Sequence, residues 1–339
     1  MTQELKRIVL AHHVKGAPSP DDFRIETAPI PKLEEGEFLV ENAYVSLDPG
    51  TRSRLSPGAS YAPPLQPGDT IDGFGVGEVV QSLNDAYPVG ATVTLGSGWA
   101  THSISKGKGY VGKLPDLGVP LSTWIGVLGV PGMTAYFGLK RVAQIKPDAR
   151  VLVTSAAGPV GATAGQLAKH WGASHVVGVA GGADKCAWIT SEAGFDQAID
   201  YKSVDLDAAL ANAFPKGIDV LFDNVGNAMI DRVLPLMRPG GRIIISGQVA
   251  DYNLPPEDVP GIKNTREFIA KRLRMEGLVV FDDLREFPAA QAEVAGLIRD
   301  GALKYREDIV DELDAAPAAF CSLFTGAGFG RKLARLVPG

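Results

Sequence analysis

Residues 151–172 read VLVTSAAGPVGATAGQLAKHWG: a short apolar strand, a glycine-bearing turn, then a helix. Val151, Leu152 and Val153 have no polar face, the pattern of a strand buried on both sides of a parallel sheet. Gly158, Gly161 and Gly165 follow. Gly158 lets the backbone approach a pyrophosphate, and Gly161 lets the next helix pack close to the strand. Pro159 has a φ preset for a first helical turn, where no amide hydrogen is needed. The amides around Val160 at that helix start, together with the helix dipole, then face anionic phosphates. Ala156 stands where the first glycine of G-x-G-x-x-G is usual, so the turn by itself is a weak signal and its context carries the reading.

The second strand, 175–179, ends about twenty residues after the glycine turn, where an NAD enzyme places an acid on the ribose 2′-hydroxyl. Here the chain reads Val179-Ala180-Gly181-Gly182-Ala183-Asp184-Lys185. Small residues such as Gly181 leave room for a 2′-phosphate and Lys185 offers it a cation; Tyr201 and Lys202, just past the expected third strand, reach toward the same corner. NADP(H) is therefore expected over NAD(H). Two plainer readings stay open: Lys185 as a solvated helix residue, and Asp184 as the ribose ligand.

The chain of 339 residues is long enough for two domains with sizeable cores. Its 45% hydrophobic and 21% charged residues are those of an ordinary globular protein. A net charge of −6 and a pI near 5.5 argue against a nucleic-acid or anionic-membrane role. No apolar run approaches a membrane span and the polar start lacks a signal-peptide core, so a cytoplasmic protein is expected. Cys186 and Cys321 are too few and too far apart for a disulfide framework or a cysteine-rich zinc site.

Two kinds of sequence alternate. Short extended runs at 38–45, 76–80 and 91–95, separated by Gly, Pro and Asp turns, suit a compact β unit. From about 123 to 280 apolar strands alternate with helical stretches: 151–154, 176–179, 219–222, 242–246 and 277–281. That alternation implies a doubly wound parallel sheet in an α/β fold. The tail after about residue 300, ending in a strand candidate at 332–337, is read as returning to the β unit. The expected domains are 1–122 with 301–339, and 123–300. A proline loop at 254–261 is expected to border a cleft.

Pro20-Asp21-Asp22-Phe23, Val45-Ser46-Leu47-Asp48-Pro49, the block from Pro131 to Leu139 (PGMTAYFGL), the glycine turn, Phe222-Asp223-Asn224-Val225-Gly226, and Gln248 with Tyr252-Asn253 together give the chain a family resemblance. It resembles, over nearly its whole length, the zinc-independent medium-chain dehydrogenases/reductases, in the branch of leukotriene B4 dehydrogenase/prostaglandin reductases, plant double-bond reductases and curcumin-reductase-like enzymes. The resemblance implies a Rossmann domain that binds NADP(H) and a GroES-like β-rich substrate domain, assembled as a homodimer. Zinc-dependent relatives present Gly-His-Glu where this chain has Gly73-Phe74-Gly75-Val76-Gly77-Glu78, and its five histidines form no ligand spacing. No metal is expected. Two positions depart from the family: Gly50 follows Asp48-Pro49 where many members have tyrosine, and Gly328 replaces the asparagine of a C-terminal Gly-x-Asn-x-Gly-Lys, leaving only its backbone to touch a cofactor.

The implied reaction is hydride transfer to the β-carbon of an α,β-unsaturated ketone or aldehyde, with a hydrogen-bond donor stabilising the enolate oxygen. Tyr252 is the expected donor, because it follows strand 242–246 beyond the carboxyl end where ligands sit in open α/β sheets. The alternative is that Tyr252 only packs its loop while the cofactor ribose hydroxyl serves. Asn224 and Gly226 are expected to face the nicotinamide half, with Ser246, Gly247 and Gln248 completing that wall. Arg52, Tyr61 and Phe281 are weaker candidates for the substrate pocket. Quinone reduction, and cofactor binding without turnover, are the competing functions.

Overall fold

A computed structural model describes residues 4–57 and 62–337. In chain order the strands and helices are β1 (Glu4–Leu10), β2 (Phe23–Pro29), β3 (Phe38–Ser46), β4 (Phe74–Ser82), β5 (Thr92–Gly96), β6 (His102–Ser105), β7 (Val111–Lys113) and α1 (Val130–Phe137). Next come β8 (Arg150–Val153), α2 (Pro159–His170), β9 (His175–Ala180), α3 (Ala183–Ser191), β10 (Gln197–Asp200), α4 (Leu206–Ala213), β11 (Ile218–Asp223) and α5 (Asn227–Val233). The chain ends with β12 (Met237–Ile245), α6 (Arg266–Lys271), β13 (Arg274–Gly277), α7 (Phe287–Arg299), β14 (Glu307–Asp311), α8 (Ala316–Ser322) and β15 (Arg331–Arg335).

These elements form two compact units, residues 1–126 with 307–339 and residues 127–306. The divisions fall beyond 122/123 and 300/301, where the change of sequence character suggests them. Hydrogen bonds explain the shift: Ser122 Oγ donates to Glu307 Oε2 at 2.8 Å and Arg331 Nε to Ile125 O at 2.8 Å, tying the turn at 121–125 into the β-rich unit.

The β-rich unit has a sheet in the order β14-β15-β3-β4-β5-β7, with β6 also on β3, and a separate antiparallel β1-β2 ribbon. Its core gathers Ile8, Leu10, Leu47, Trp99 and Phe320. Glycine at 77 is dictated by close packing, since a Cβ there would stand 1.9 Å from Glu41 O on β3.

The second unit is an all-parallel sheet in the order β10-β9-β8-β11-β12-β13. The chain leaves β8 in one direction to β9 and β10, then returns beside β8 and runs outward the other way. The carboxyl ends of β8 and β11 thus flank the point where strand order reverses, the place at which open α/β sheets bind ligands. Val151, Leu152 and Val153 are wholly buried, as their apolar character demands. One expected strand is displaced: β13 ends at Gly277, and residues 280–286 form a 3-10 turn, so 277–281 is not a strand. The four residues of β13 are all exposed on the sheet edge, where no apolar run is required.

Candidate functional site

The glycine turn is built for close approach. Ser155 leaves β8 with φ +50°, a left-handed conformation that is uncommon without glycine, and its carbonyl accepts the Gly158 N–H at 2.9 Å. Gly158 caps α2, which starts at Pro159. The first bond of that helix runs from Ala162 N–H to Gly158 O at 2.9 Å, so the Val160 and Gly161 amides precede the helical ladder and face outward from its N-terminus. A Cβ on Gly161 would stand 2.5 Å from Ser155 O, so the start of the helix packs close against the turn that leaves β8. Gly165 faces the ring of Phe195, 1.9 Å from where its Cβ would be.

At the end of β9, Gly181 lies under Tyr201 and Lys202; a Cβ there would come within 2.8 Å of the Tyr201 ring and 2.9 Å of the Lys202 stem. Asp200 Oδ1 accepts the Gly182 and Lys202 amides at 2.8 and 3.0 Å, and these bonds hold its carboxyl below the usual range. Lys185, half-buried on α3, is pulled below the ordinary lysine value, first by burial and then by the Lys202 charge. Two cations therefore gather at one corner. Asp184 sits exposed on the first turn of α3.

At the ends of β11 and β12 the backbone is tightly cross-tied. Ser246 N–H donates to Asp223 O at 2.9 Å, Val249 N–H to Asn224 O at 3.2 Å and Ala250 N–H to Val225 O at 3.0 Å. Gly226 has φ +133° and lies on the Asp251 carboxylate, whose Oδ2 would be 2.3 Å from a Cβ; only glycine meets both conditions. Gly247 lies opposite the Tyr252 hydroxyl, 3.6 Å from its own would-be Cβ. That hydroxyl oxygen accepts the Gln248 N–H at 3.3 Å, and burial pushes the phenol pKa upward. Tyr252 is thus a neutral donor group whose own proton is not consumed by the bond to Gln248.

The remaining candidates lie on other segments of the chain. Arg52 is 5% exposed; its guanidinium donates to Gly16 O at 2.7 and 3.1 Å and to Ser56 Oγ at 2.9 Å, so it braces the loops of the β-rich unit. Gly328 belongs to the same unit, on the loop entering β15, with a would-be Cβ 3.3 Å from Leu323. Phe281 is half-buried on the 3-10 turn after β13. Tyr61 lies outside the described residues. The proline loop at 254–261 is tied down by Asn227 Nδ2, which donates to Pro260 O at 2.9 Å. Phe74 packs edge-on against Tyr110 with centroids 5.0 Å apart. Among the described residues no three His, Cys, Asp or Glu side chains come together to hold a metal ion.

Sequence reasoning gave no role to Thr154, Asp223 and Asp251. Thr154 and Asp223 are wholly buried. Their signal is a polar residue that closes or directly follows each of two adjacent apolar strands, which becomes meaningful only once the strands are known to be neighbours.

Residues 6–112 match a family described as the N-terminal domain of oxidoreductase, and residues 159–296 one described as zinc-binding dehydrogenase. The chain is 40% identical to the NADPH-dependent curcumin reductase of Escherichia coli, over 98% of this chain and 97% of that protein. It is likewise 40% identical to a 2-alkenal reductase (NADP(+)-dependent) of Nicotiana tabacum, over 97% and 96%. The crystal structure of CurA from Vibrio vulnificus in complex with NADPH superposes with a TM-score of 0.91 at 35% identity, covering 98% of this chain and 100% of that one. The chain belongs to the zinc-independent branch of the medium-chain dehydrogenases/reductases that contains the curcumin, 2-alkenal and prostaglandin reductases.

Proposed function

We propose that this chain is an NADPH-dependent ene-reductase that reduces the C=C bond of α,β-unsaturated ketones or aldehydes. The observation that carries the reading is the buried Tyr252 phenol, its oxygen bonded by the Gln248 N–H, at the same sheet edge as a turn whose Gly161 leaves no room for a side chain. The names of the curcumin and 2-alkenal reductases support the same substrate class.

The residues fit the cofactor. Gly158, Pro159, Val160 and Gly161 would hold the pyrophosphate, because the would-be Cβ of Gly161 occupies the space the loop backbone needs and the first helical amides face outward. Gly181, Lys185 and Tyr201, joined by Lys202, would hold the 2′-phosphate; a dianion there offsets the mutual repulsion of the two lysines. Asn224, Gly226, Ser246, Gly247 and Gln248 would line the nicotinamide side, and Gly328 could contribute only backbone. When bound, NADPH supplies a hydride to the substrate's β-carbon.

Reduction of a conjugated C=C bond drives negative charge onto the carbonyl oxygen. Tyr252 answers that charge by donating its O–H, while the Gln248 N–H, by donating to the phenol oxygen, makes that O–H a stronger donor. A proton then reaches the α-carbon and completes the saturated product. Arg52, whose guanidinium donates to Gly16 and Ser56, would support a substrate pocket by holding loop shape. Phe281, half-buried on the 3-10 turn after β13, is kept as a candidate for the substrate pocket.

The assay is NADPH oxidation with enones, enals and quinones side by side, NADH run in parallel, and each product identified by mass. A saturated ketone or aldehyde formed with NADPH supports ene reduction. Turnover of quinones alone, or binding without turnover of any acceptor, overturns it. Cytoplasmic residence and a homodimer go with this reading. The exposed edge of β13, with Ile269, Met275 and Val279 exposed beside it, supports sheet extension across a two-fold axis, and light scattering on the eluting protein tests it.

A further inference from the structure

The end of β8 and the end of β11 are locked by a buried polar knot at the point where strand order reverses. Thr154 Oγ1 donates to Asp223 Oδ1 at 2.7 Å and accepts the Asn224 N–H at 2.8 Å. Asn224 Nδ2 returns a bond to Thr154 O at 2.8 Å. Asp223 Oδ2 accepts the Gly226 N–H at 2.8 Å and the Val225 N–H at 3.3 Å. The amides of 224, 225 and 226 are all turned inward onto two side chains. The carbonyls of 223, 224 and 225 meanwhile accept amides from the 246–250 segment that leads into Tyr252.

Three segments thus take their positions from one carboxylate and one hydroxyl: the glycine turn, which begins at Ser155 immediately after Thr154; the 224–226 turn; and the loop bearing Tyr252. A hydrophobic residue would fill the Asp223 site at no desolvation cost, yet would leave two amides and a hydroxyl unpaired in the interior. We propose that Asp223, through Thr154, is the positioning residue that holds the glycine turn and the Tyr252 loop in register for one bound dinucleotide. The proposal rests on the NADPH reading above. It adds a role for two residues that touch neither cofactor nor substrate in that reading.

Asparagine at 223 keeps an amide oxygen for the Gly226 and Val225 N–H groups but turns an NH2 toward Thr154 Oγ1, whose own proton then loses its acceptor; it keeps part of the arrangement, and alanine keeps none. Serine at 154 keeps the hydroxyl, and valine removes it at nearly constant shape. The experiment is direct titration of purified wild type, Asp223→Asn, Asp223→Ala, Thr154→Ser and Thr154→Val with NADPH, followed by protein fluorescence, together with steady-state kinetics at saturating acceptor. Asp223→Ala and Thr154→Val are expected to weaken NADPH binding by about 10- to 100-fold, while Thr154→Ser stays within about threefold and Asp223→Asn falls between the two. In Thr154→Val, which keeps packing volume, kcat is expected to fall along with cofactor affinity because the Tyr252 loop shifts too. Wild-type NADPH binding with Thr154→Val and Asp223→Ala indistinguishable from it would overturn this proposal alone. Should Asp223→Ala fail to fold, the Thr154 pair decides. Absence of NADPH binding by the wild type would overturn the cofactor reading and this proposal with it.

Discussion

Replacing Lys185 by alanine tests the cofactor corner most sharply. Its ammonium is half-buried and held below its ordinary pKa by burial and by Lys202. A hydrogen bond to a charged partner contributes about 1.5–3 kcal/mol. Lys202 remains in the variant to keep part of the attraction, and the corner is partly open to water, so a loss of about 1.4–2.7 kcal/mol is expected, equivalent to about 10- to 100-fold in KM for NADPH. NADH carries no 2′-phosphate and its KM should hardly change. Initial rates with both cofactors at saturating acceptor give the two ratios directly. An equal rise in KM for NADH and NADPH would refute the 2′-phosphate role, as would a rise in neither.

Tyr252→Phe is expected to lower kcat about tenfold or more with little change in NADPH affinity, read from the same kinetics; an unchanged kcat removes the phenol from the reaction. Gly161→Ala drives a methyl to within 2.5 Å of Ser155 O, a backbone atom that cannot yield cheaply. Overpacking of this kind costs about 1–3 kcal/mol, and calorimetry should find Tm lowered by several degrees; an unchanged Tm would mean the turn relaxes freely. Burial raises the Asp223 carboxyl to about 6 against the ordinary aspartate range, with the Asp251 carboxylate adding to the rise from the 246–252 loop that faces it. The folded state then holds that proton more tightly than the unfolded chain. The cost of the buried charge is absent below about pH 4, sets in as pH rises, is complete above about pH 6, and amounts to roughly 3 kcal/mol. Denaturant melts should therefore find Asp223→Asn gaining stability relative to wild type between pH 4 and 7; a difference that stays flat across that window would sink the assignment.

What could be read from the sequence, and what could not, follows from how far apart in the chain the interacting groups lie. The strand, turn and helix at 150–170 are specified by residues within one short window, so apolar run, glycines and proline all point the same way. The block from Pro131 to Leu139 is equally visible, and its role turns out to be packing: a Cβ on Gly132 would stand 1.6 Å from Val127 O, and Tyr136 Oη donates to Glu293 Oε2 at 2.6 Å. β13 was hidden because Arg-Met-Glu-Gly at an exposed edge buries nothing, and burial is what periodicity detects. The knot at the switch point was hidden for another reason. Thr154 and Asp223 are 69 residues apart, and each alone is an ordinary polar residue at a strand end. Only the parallel pairing of β8 with β11, Val153 against Phe222, brings the next residue of each chain into hydrogen-bonding reach. The register of that pair therefore does two things at once: it buries the apolar runs that made the strands legible, and it sets beside one another the two polar residues that end them. A shift of one residue in either strand would bury Asp223 without Thr154, so the same bonds that shape the site also disfavour the wrong pairing.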